Sequence, residues 1–453
     1  MVLLFSCSQD ASREDNNETN PMSRKDFTLM TLDPGHFHAA LVQKKMYEQI
    51  DPVVYVYAPE GQDVRDHLKR IDAFNSHVED PTTWKEVVYT GPDFLEKMLE
   101  QKPGNVVVIS GNNLKKTDYI TKSIGAGLHV LADKPMVILP DQFPHLVEAF
   151  RLAEEKDVLL YDIMTERYEI TTLLQKELSQ IPDVFGALEK GSVDEPAITK
   201  ESVHHFFKFV SGSPLIRPAW FFDVSQQGEG LVDVTTHLVD LTMWECFPGM
   251  IIDHQEEVEI LEAKRWTTDL TPAEFEKVTG MKEFPGYLEK YVEDGHLKVY
   301  SNGEITYKLR DIHAKVSVTW NYQAPDGGDT HYSMMRGTRS NLIIRQGPEE
   351  NFQPVLYVEP KTEMGDFEGA IQQAVDRTLQ EEYPGVALEK ISEKQYKVNI
   401  PDTYKVGHEA HFSQVTEKFL YYLEKGNIPA WEVPNMITKY YITTEALRMA
   451  LDE

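Results

Sequence analysis

The stretch Asn105-Val106-Val107-Val108-Ile109-Ser110-Gly111-Asn112-Asn113 decides the fold class of this chain. An uninterrupted apolar run that ends in a polar loop is typical of a parallel strand buried on both faces. A helical pattern follows as far as residue 126, and a second apolar run covers 129–132. A strand, a loop, a helix and a second strand in this order predict a crossover unit of a parallel sheet.

The same alternation of apolar strands and amphipathic helices extends to both sides of this unit. On the N-terminal side we predict strands over 27–32 and 53–57, with a helix over 38–49 between them. On the C-terminal side a helix over 140–156 leads to a strand over 158–161. We therefore predict an α/β chain whose residues 26–165 form a Rossmann-like, doubly wound parallel sheet.

The pattern changes after residue 165, where alternating and partly polar strands such as 202–209 suit a mixed or antiparallel sheet. We predict a second α/β domain over 166–453 with a large, open, mostly antiparallel sheet. The tail over 408–451 has helical periodicity, and we expect it to pack back on the body of the protein. A chain of 453 residues is too long for one ordinary hydrophobic core, which agrees with two domains.

The composition narrows the classes of partner. Lysine and arginine number 45 and aspartate and glutamate 74, so the net charge of 45 − 74 = −29 disfavours nucleic acids and anionic membranes. The two cysteines, Cys7 and Cys246, form no CxxC pair, and no Cys/His spacing indicates zinc. A metal site built from His204, His237 and His331 has no supporting spacing either, so we predict no metal site.

The N-terminus resembles the end of a bacterial lipoprotein signal. Leu4 stands three places before Cys7 and the small Ser6 directly before it, while residues 9–25 are polar and lack periodicity. We predict that residues 1–25 are a disordered tether with a lipid anchor at Cys7, in a periplasmic or membrane-anchored protein. The alternative is an ordinary N-terminus of a cytoplasmic protein. No run approaches the roughly 18 apolar residues of a membrane span, so we predict no transmembrane segment.

A glycine turn followed by a helical pattern, Gly228-Glu229-Gly230-Leu231-Val232-Asp233-Val234-Thr235-Thr236-His237-Leu238-Val239-Asp240, is the main candidate for a site. Asp233, His237 and Asp240 fall at i, i+4 and i+7 and therefore share one helical face. Histidine takes and returns protons near neutral pH, and a neighbouring carboxylate orients it. The alternative is an acid favoured by the helix dipole beside a hydrogen-bonded core histidine.

Two further motifs precede this segment in the chain. Asp133-Lys134-Pro135 follows Ala126-Gly127-Leu128-His129-Val130, and an Arg167-Tyr168 pair comes after the last crossover strand. Together with the glycine turn, these motifs resemble the glucose-fructose oxidoreductase/inositol dehydrogenase/rhizopine-catabolism (Gfo/Idh/MocA) family. The resemblance implies an N-terminal Rossmann domain and a C-terminal α/β domain whose open sheet often pairs with another subunit, hence a homo-oligomer.

The resemblance also implies that Lys134, Asp233 and His237 are catalytic. Oxidation of a sugar alcohol needs a base for the hydroxyl proton as hydride leaves the same carbon, and His237 is our candidate for that base. Lys134 would hydrogen-bond the reacting oxygen as negative charge develops, and Asp233 would orient His237 or a sugar hydroxyl. The alternative for Lys134 is a surface lysine before a turn.

The cofactor implied by the resemblance is NAD, with NADP not excluded. The family's G-x-G-x-x-G fingerprint is replaced here by Asp33-Pro34-Gly35-His36-Phe37-His38, in which only Gly35 is kept. His36 and His38 either contact phosphate or simply occupy an altered turn, and an acid near the end of strand two, Glu60, favours NAD over NADP. The residues assigned to the cofactor are Gly35, His36, Phe37, Glu60, Ser110, Asn112, Asp133, Lys134 and Arg167.

The substrate implied by the family is a small carbohydrate, and its candidate ligands lie in the second domain. An exposed tryptophan beside an arginine suits stacking and hydrogen bonding to a sugar, whereas the alternative is that the aromatic residues are sheet core. The candidate substrate residues are His204, Lys208, Arg217, Trp220 and His331.

Three functions remain open at this stage. The first is an NAD(P)-dependent oxidoreductase that acts on a sugar, cyclitol or glycoside. The second is an NAD-dependent glycoside hydrolase or lyase that oxidises a sugar carbon transiently and then returns the hydride. The third is a non-catalytic carbohydrate-binding protein of the same fold.

Overall fold

A parallel six-stranded sheet organises the first part of the chain in the computed structural model, which describes residues 26–210, 213–324, 328–361 and 364–452. The strands are β1 (Leu29–Leu32), β2 (Val53–Ala58), β3 (Lys85–Thr90), β4 (Val106–Ile109), β5 (His129–Asp133) and β6 (Leu160–Ile163). Their order is β3-β2-β1-β4-β5-β6, and every pair is parallel. This order confirms the predicted doubly wound fold, in which ligands bind at the carboxyl ends of the strands near β1 and β4.

The helices of this domain are α1 (His38–Leu41), α2 (Gln62–Asn75), α3 (Phe94–Gln101), α4 (Asn113–Gly125) and α5 (Phe143–Glu155). The helix predicted over 38–49 is wrong in length, because α1 ends after one turn at Leu41. The Gln43 carbonyl accepts a hydrogen bond from the Trp84 indole instead of a helical N–H, and Tyr47 and Ile50 turn inward to the core. Long-range packing therefore overrides the helical periodicity of this segment.

The second part of the chain carries a ten-stranded, mostly antiparallel sheet in the order β10-β12-β13-β7-β14-β15-β16-β18-β17, with β11 paired to β12. Its strands are β7 (Ile198–Phe207), β10 (Val258–Leu270), β11 (Val292–Glu293), β12 (His296–Leu309), β13 (Ile312–Gln323), β14 (Thr330–Arg336), β15 (Ser340–Gln346), β16 (Val355–Pro360), β17 (Ala387–Ser392) and β18 (Gln395–Asn399). The pair β7–β13 is parallel. A separate hairpin joins β8 (Phe209–Val210) to β9 (Ser213–Pro214).

The helices of this second part are α6 (Ile170–Ser179), α7 (Val224–Gln227), α8 (Thr235–Cys246), α9 (Pro272–Thr279), α10 (Met364–Ala374), α11 (Gln380–Glu382), α12 (His408–Lys425) and α13 (Glu432–Asp452). The last two return to the first domain, where Phe412, Phe419 and Tyr440 share one apolar core with Met30 and Val130. Within the described residues, no helix combines the length and hydropathy that a membrane crossing requires. The lipid anchor predicted at Cys7 lies outside the described residues.

A buried ionic network fixes α8 against both domains. Arg167 donates two hydrogen bonds of 2.7 Å to the Asp240 carboxylate and a third, of 3.0 Å, to Glu432. The Lys439 ammonium lies 2.6 Å from Asp162 and 2.8 Å from Asp240. Burial acts to raise the pKa of Asp240, but the charges of Arg167 and Lys439 hold that pKa below its usual range. Because such a network has little freedom, the residues at the start of α8 have a fixed position.

Candidate active site

The central contact of the site joins the end of β5 to the segment that precedes α8. The Lys134 ammonium donates a 2.7 Å hydrogen bond to Asp233 Oδ1, and each side chain is only about a tenth exposed. Gln227 donates a 3.2 Å hydrogen bond to the other carboxylate oxygen, Oδ2. Two motifs that lie 99 residues apart in the sequence are therefore in direct contact.

The glycine turn sets the position of Asp233. A Cβ on Gly230 would lie 2.2 Å from the Ser301 carbonyl oxygen of β12, so only glycine lets the two backbones approach this closely. Gly228 has φ = 100°, a conformation that residues with a side chain rarely adopt. Helix α8 begins at Thr235, so Asp233 belongs to the turn that leads into it rather than to the helix.

His237 lies in the first turn of α8, one turn beyond Asp233. Its Nδ1 is buried and has no hydrogen-bond partner among the residues that the structure describes. Burial, reinforced by the nearby Lys134 ammonium, holds the pKa of His237 well below its usual range. This low pKa favours the neutral imidazole. Because Nδ1 is closed to solvent and the residue as a whole is only partly buried, the other ring nitrogen, Nε2, is the one that a ligand would reach.

Asp133 is the centre of a polar cluster beneath this contact. Its Oδ2 lies 2.9 Å from His38 Nδ1 and 3.7 Å from His36 Nδ1, and it accepts a 2.9 Å hydrogen bond from Ser110 Oγ. The buried Lys116 ammonium donates a 2.8 Å hydrogen bond to the Asp133 backbone carbonyl. Of the two histidines in the turn, His38 bonds directly to Asp133, while phosphate contact by either histidine stays a prediction.

A tryptophan from the second domain covers the turn that replaces the glycine fingerprint. A Cβ on Gly35 would lie 3.2 Å from the Trp220 indole and 3.3 Å from Asp63 Oδ2. The indole Nε1 donates a 3.1 Å hydrogen bond to that same Asp63 oxygen. Trp220 was predicted to face the sugar, but the structure places it on the cofactor turn. Phe37 packs against the core of the first domain, with its ring 4.6 Å from that of His36.

The residues around the ends of β1 and β2 fit a dinucleotide. A cavity of about 230 Å³ opens here, lined by Asp33, Pro34, Ala58, Pro59, Glu60, Gly61, Gln62, Asp63 and Val64. Its carboxylates suit the hydroxyls of a ribose. A Cβ on Gly111 would lie 2.3 Å from the Asp33 carbonyl oxygen, so a glycine is needed where the β4 loop meets the turn.

Asn112 links the β4 loop to the second domain. Its side-chain oxygen accepts a hydrogen bond from the Leu114 N–H and so caps α4, while its amide nitrogen donates a 2.7 Å hydrogen bond to Gln226. The cofactor contact expected of Asn112 stays a prediction, and its side chain makes these two contacts in the structure.

Arg167, which was predicted to bind the cofactor, is bonded to two carboxylates in the structure. Its guanidinium is buried, and its donors are used by Asp240 and Glu432 in the ionic network. The residue ties α8 to α13 through these two carboxylates.

The candidate substrate residues divide into two groups. His204 Nδ1 lies 3.4 Å and Lys208 Nζ 2.8 Å from the Asp329 carboxylate, and the His204 ring stacks on Trp320. This polar group stands at the end of β7 beside β14. His331 lies on β14 opposite Ser202, and burial lowers its pKa to about 3.

Arg217 does not present its guanidinium to a ligand. It is buried against the Phe221 and Trp320 rings and donates to the backbone carbonyls of Phe206 and His205. The prediction of a substrate contact is therefore corrected to a structural role. The rings of Phe206, Phe221 and Trp320 also line a small cavity that reaches Asp233.

Sequence reasoning missed several residues that the structure brings to the cleft. Asp63 follows the predicted ribose acid by three positions, and a search of the helix start after β2 would have found it. His408, at the first residue of α12, lies with its ring 5.4 Å from that of His38, and no local pattern signals a contact over this distance in the chain.

Comparisons with known proteins agree with this geometry. Residues 34–161 match the family model "Oxidoreductase family, NAD-binding Rossmann fold", and residues 174–451 match "Putative oxidoreductase C terminal domain". The first domain is thus an NAD-binding Rossmann domain. A crystal structure named "putative oxidoreductase" from Parabacteroides merdae is 56% identical, covers 95% of this chain and 98% of its own, and gives a TM-score of 0.93.

More distant solved structures share the fold. GenD2 from gentamicin A biosynthesis, in complex with NAD, is 15% identical, with 99% of this chain and 98% of its own covered and a TM-score of 0.55. Levoglucosan dehydrogenase, in complex with NADH and L-sorbose, is 11% identical, with coverages of 94% and 97% and a TM-score of 0.61. The comparison with curated proteins gave no significant match.

Proposed function

The chain belongs to the Gfo/Idh/MocA oxidoreductase family, and from that premise we propose that it transfers a hydride between NAD and a hydroxyl-bearing carbon of a sugar, cyclitol or glycoside. The observation that carries the proposal is the 2.7 Å contact between Lys134 and Asp233 with the partly exposed His237 imidazole near the Lys134 ammonium. Two of the distant relatives that share the fold are described with sugar-type ligands or pathways.

His237 acts as the base of the reaction. Its low pKa favours the neutral form, and its Nε2, unlike the enclosed Nδ1, is open to a substrate hydroxyl. A base that is already neutral accepts the hydroxyl proton without first losing one of its own. In the reverse direction the imidazolium returns that proton to the carbonyl oxygen.

Lys134 stabilises the reacting oxygen, and Asp233 holds Lys134 in place. The ammonium has three donors, of which Asp233 takes one, so the others are directed to a substrate oxygen on which negative charge builds. This division of roles modifies the sequence prediction, in which Asp233 was expected to orient His237 or a sugar hydroxyl.

The first domain would hold the cofactor along the ends of β1, β2 and β4. When bound, NAD supplies the nicotinamide carbon that accepts or returns the hydride. Glu60 and Asp63 would bind the adenosine ribose, and their charge beside Asp33 repels the 2′-phosphate of NADP. We therefore propose a preference for NAD.

A second candidate function, glycoside cleavage through transient oxidation, is favoured by the covered turn. Trp220 bridges from the second domain to Asp63 across Gly35, which suits a cofactor that stays bound from one turnover to the next. Recycling on the enzyme would be required outside the cytoplasm, the location that the predicted anchor at Cys7 implies. The homo-oligomer likewise remains a proposal.

The experiment that tests the proposal starts with dinucleotide binding to the purified full-length chain. NAD should raise the melting temperature more than NADP does at the same concentration. If neither dinucleotide binds, both enzymatic functions are contradicted. The non-catalytic carbohydrate-binding protein is then the function that is left.

A panel of sugars, cyclitols and glycosides then separates the two enzymatic functions. Net NADH and a keto-sugar support the dehydrogenase, whereas a released aglycone without net NADH supports cleavage. The matched control is His237→Ala, which should lose either activity and keep NAD binding.

A further inference from the structure

Three metal-ligand side chains converge under the active site. His36 and His38 lie in the turn after β1, Asp133 ends β5, and one ligand atom from each lies within 4.8 Å of the others. The distances to Asp133 Oδ2 are 2.9 Å from His38 Nδ1 and 3.7 Å from His36 Nδ1. Sequence spacing gave no sign of this cluster, because the aspartate stands 95 residues after His38.

We propose that His36, His38 and Asp133 form a binding site for a divalent transition metal, filled by Zn²⁺. Zinc bonds to nitrogen and oxygen of about 2.0–2.1 Å place tetrahedral ligands about 3.3 Å apart. The two measured distances lie on either side of that value, each within half an ångström. Two imidazoles and one carboxylate form a donor set typical of catalytic zinc, with a fourth position left for water or substrate.

The surroundings of the cluster support its ligands in the manner of a metal site. Ser110 Oγ donates a hydrogen bond to Asp133 Oδ2, which fixes the carboxylate. The His38 ring packs on Phe412 of α12, with centroids 4.5 Å apart, and this contact fixes the imidazole. His36 Nδ1 accepts a long 3.4 Å contact from the His38 N–H, a weak interaction that a metal would replace.

The charges that face the cluster decide which fourth ligand the metal would take. The Lys116 ammonium is bonded to the Asp133 carbonyl, and the Lys134 ammonium is bonded to Asp233. A divalent ion with one carboxylate ligand leaves net positive charge here, beside the buried Lys116 ammonium. The fourth ligand is therefore anionic: a hydroxide, a deprotonated substrate hydroxyl or a phosphate oxygen.

The test uses the purified full-length chain, stripped with a chelator and titrated with Zn²⁺ alone, without NAD or sugar. We expect one equivalent of zinc to bind, and Co²⁺ in its place to give the intense visible bands of a four-coordinate ion. His36→Gln should weaken zinc binding by more than the roughly 10- to 100-fold typical of losing a second-shell partner, and Ser110→Ala by about that amount.

The matched control is His145→Gln, which changes an exposed histidine on α5. Thermal melts of all variants report whether each is folded, and His36 is chosen because it is less buried than His38. Sub-stoichiometric zinc in the wild type, or unchanged affinity in a folded His36→Gln variant, would overturn the proposal. NAD binding is measured separately, so loss of the metal site leaves the proposed oxidoreductase function testable.

Discussion

The two halves of the cleft differ in how closely they follow the family's pattern. The proton-handling half keeps its motifs, since Lys134, Asp233 and His237 stand at the positions that the resemblance assigns and lie together in the structure. The cofactor half has lost its fingerprint, and the turn of residues 33–38 is instead held by His38 on Asp133 and by Trp220 on Gly35. The catalytic side chains therefore follow the family's pattern more closely than the turn of residues 33–38 does. A backbone turn can be held by several different side chains, whereas proton transfer needs particular ones.

The largest expected effect is the loss of the base. His237→Ala should lower kcat by about 10²- to 10⁴-fold, the range of general-base catalysis, while the Kd for NAD stays nearly unchanged. Steady-state kinetics and calorimetric NAD titration measure the two quantities. An exposed histidine, His77→Ala, serves as the control. Full activity in His237→Ala would show that His237 is not the base of the reaction.

The next effect comes from the contact between the two motifs. Lys134→Met should lower kcat by about 10²- to 10³-fold, as removal of one donor to a developing oxyanion does. Because Asp233 positions Lys134, Asp233→Asn in the Lys134→Met background should add much less than it does alone. Lys122→Met, at an exposed position of α4, is the control. Additive losses in the double variant would show that the two residues act independently.

The proton-handling half was accessible to sequence reasoning because each of its motifs is local, although the contact that joins them spans 99 residues. The glycine turn predicted the i, i+4 spacing of Asp233 and His237, and the resemblance to the family paired that turn with Lys134. Glycine at 230 is required by a backbone approach to β12, and such a requirement leaves a readable mark in the sequence.

The second half was less accessible because its contacts span long separations. Trp220 and Asp63 stand 157 residues apart, and nothing near either residue indicates that they meet. The ionic contacts of Arg167 were unforeseen for the same reason, since its partners Asp240 and Glu432 come from two later helices. Likewise, periodicity alone predicted a helix over 38–49, but α1 ends at Leu41 because Tyr47 turns inward to the core.

A smaller effect, on the rates of NAD binding, is expected from Trp220, which covers the turn of residues 33–38. The Trp220 indole fills the space above Gly35, so it must move before a dinucleotide reaches the turn. Trp220→Ala should raise both the association and dissociation rates of NAD, each by about tenfold, with a smaller change in Kd. Stopped-flow fluorescence measures both rates, and Trp266→Ala, a partly exposed tryptophan on β10, is the control. Unchanged rates would show that the cover does not gate the turn.

The smallest effect is a displacement of the pH profile. The base must be neutral to act, and the pKa of His237 is held well below its usual range by burial and then by the Lys134 charge. In the wild type, kcat/KM should therefore stay level as the pH falls through 6.5 and decline only at more acidic pH. An acidic limb near pH 6.5 in the wild type would contradict the neutral, buried base.

The coupling between Lys134 and His237 predicts the direction in which that limb moves. Removing the ammonium in Lys134→Met takes away a charge that disfavours imidazolium and leaves the Asp233 carboxylate unpaired, so both changes raise the pKa of His237. The acidic limb should move to higher pH by about one unit, measurable in the residual activity. Trp220→Ala carries no charge change and should leave the limb in place, because the cofactor half does not set the protonation of the base. The prediction is contradicted if the acidic limb moves in Trp220→Ala and stays in place in Lys134→Met. Trp220, and not Lys134, would then control the protonation of His237.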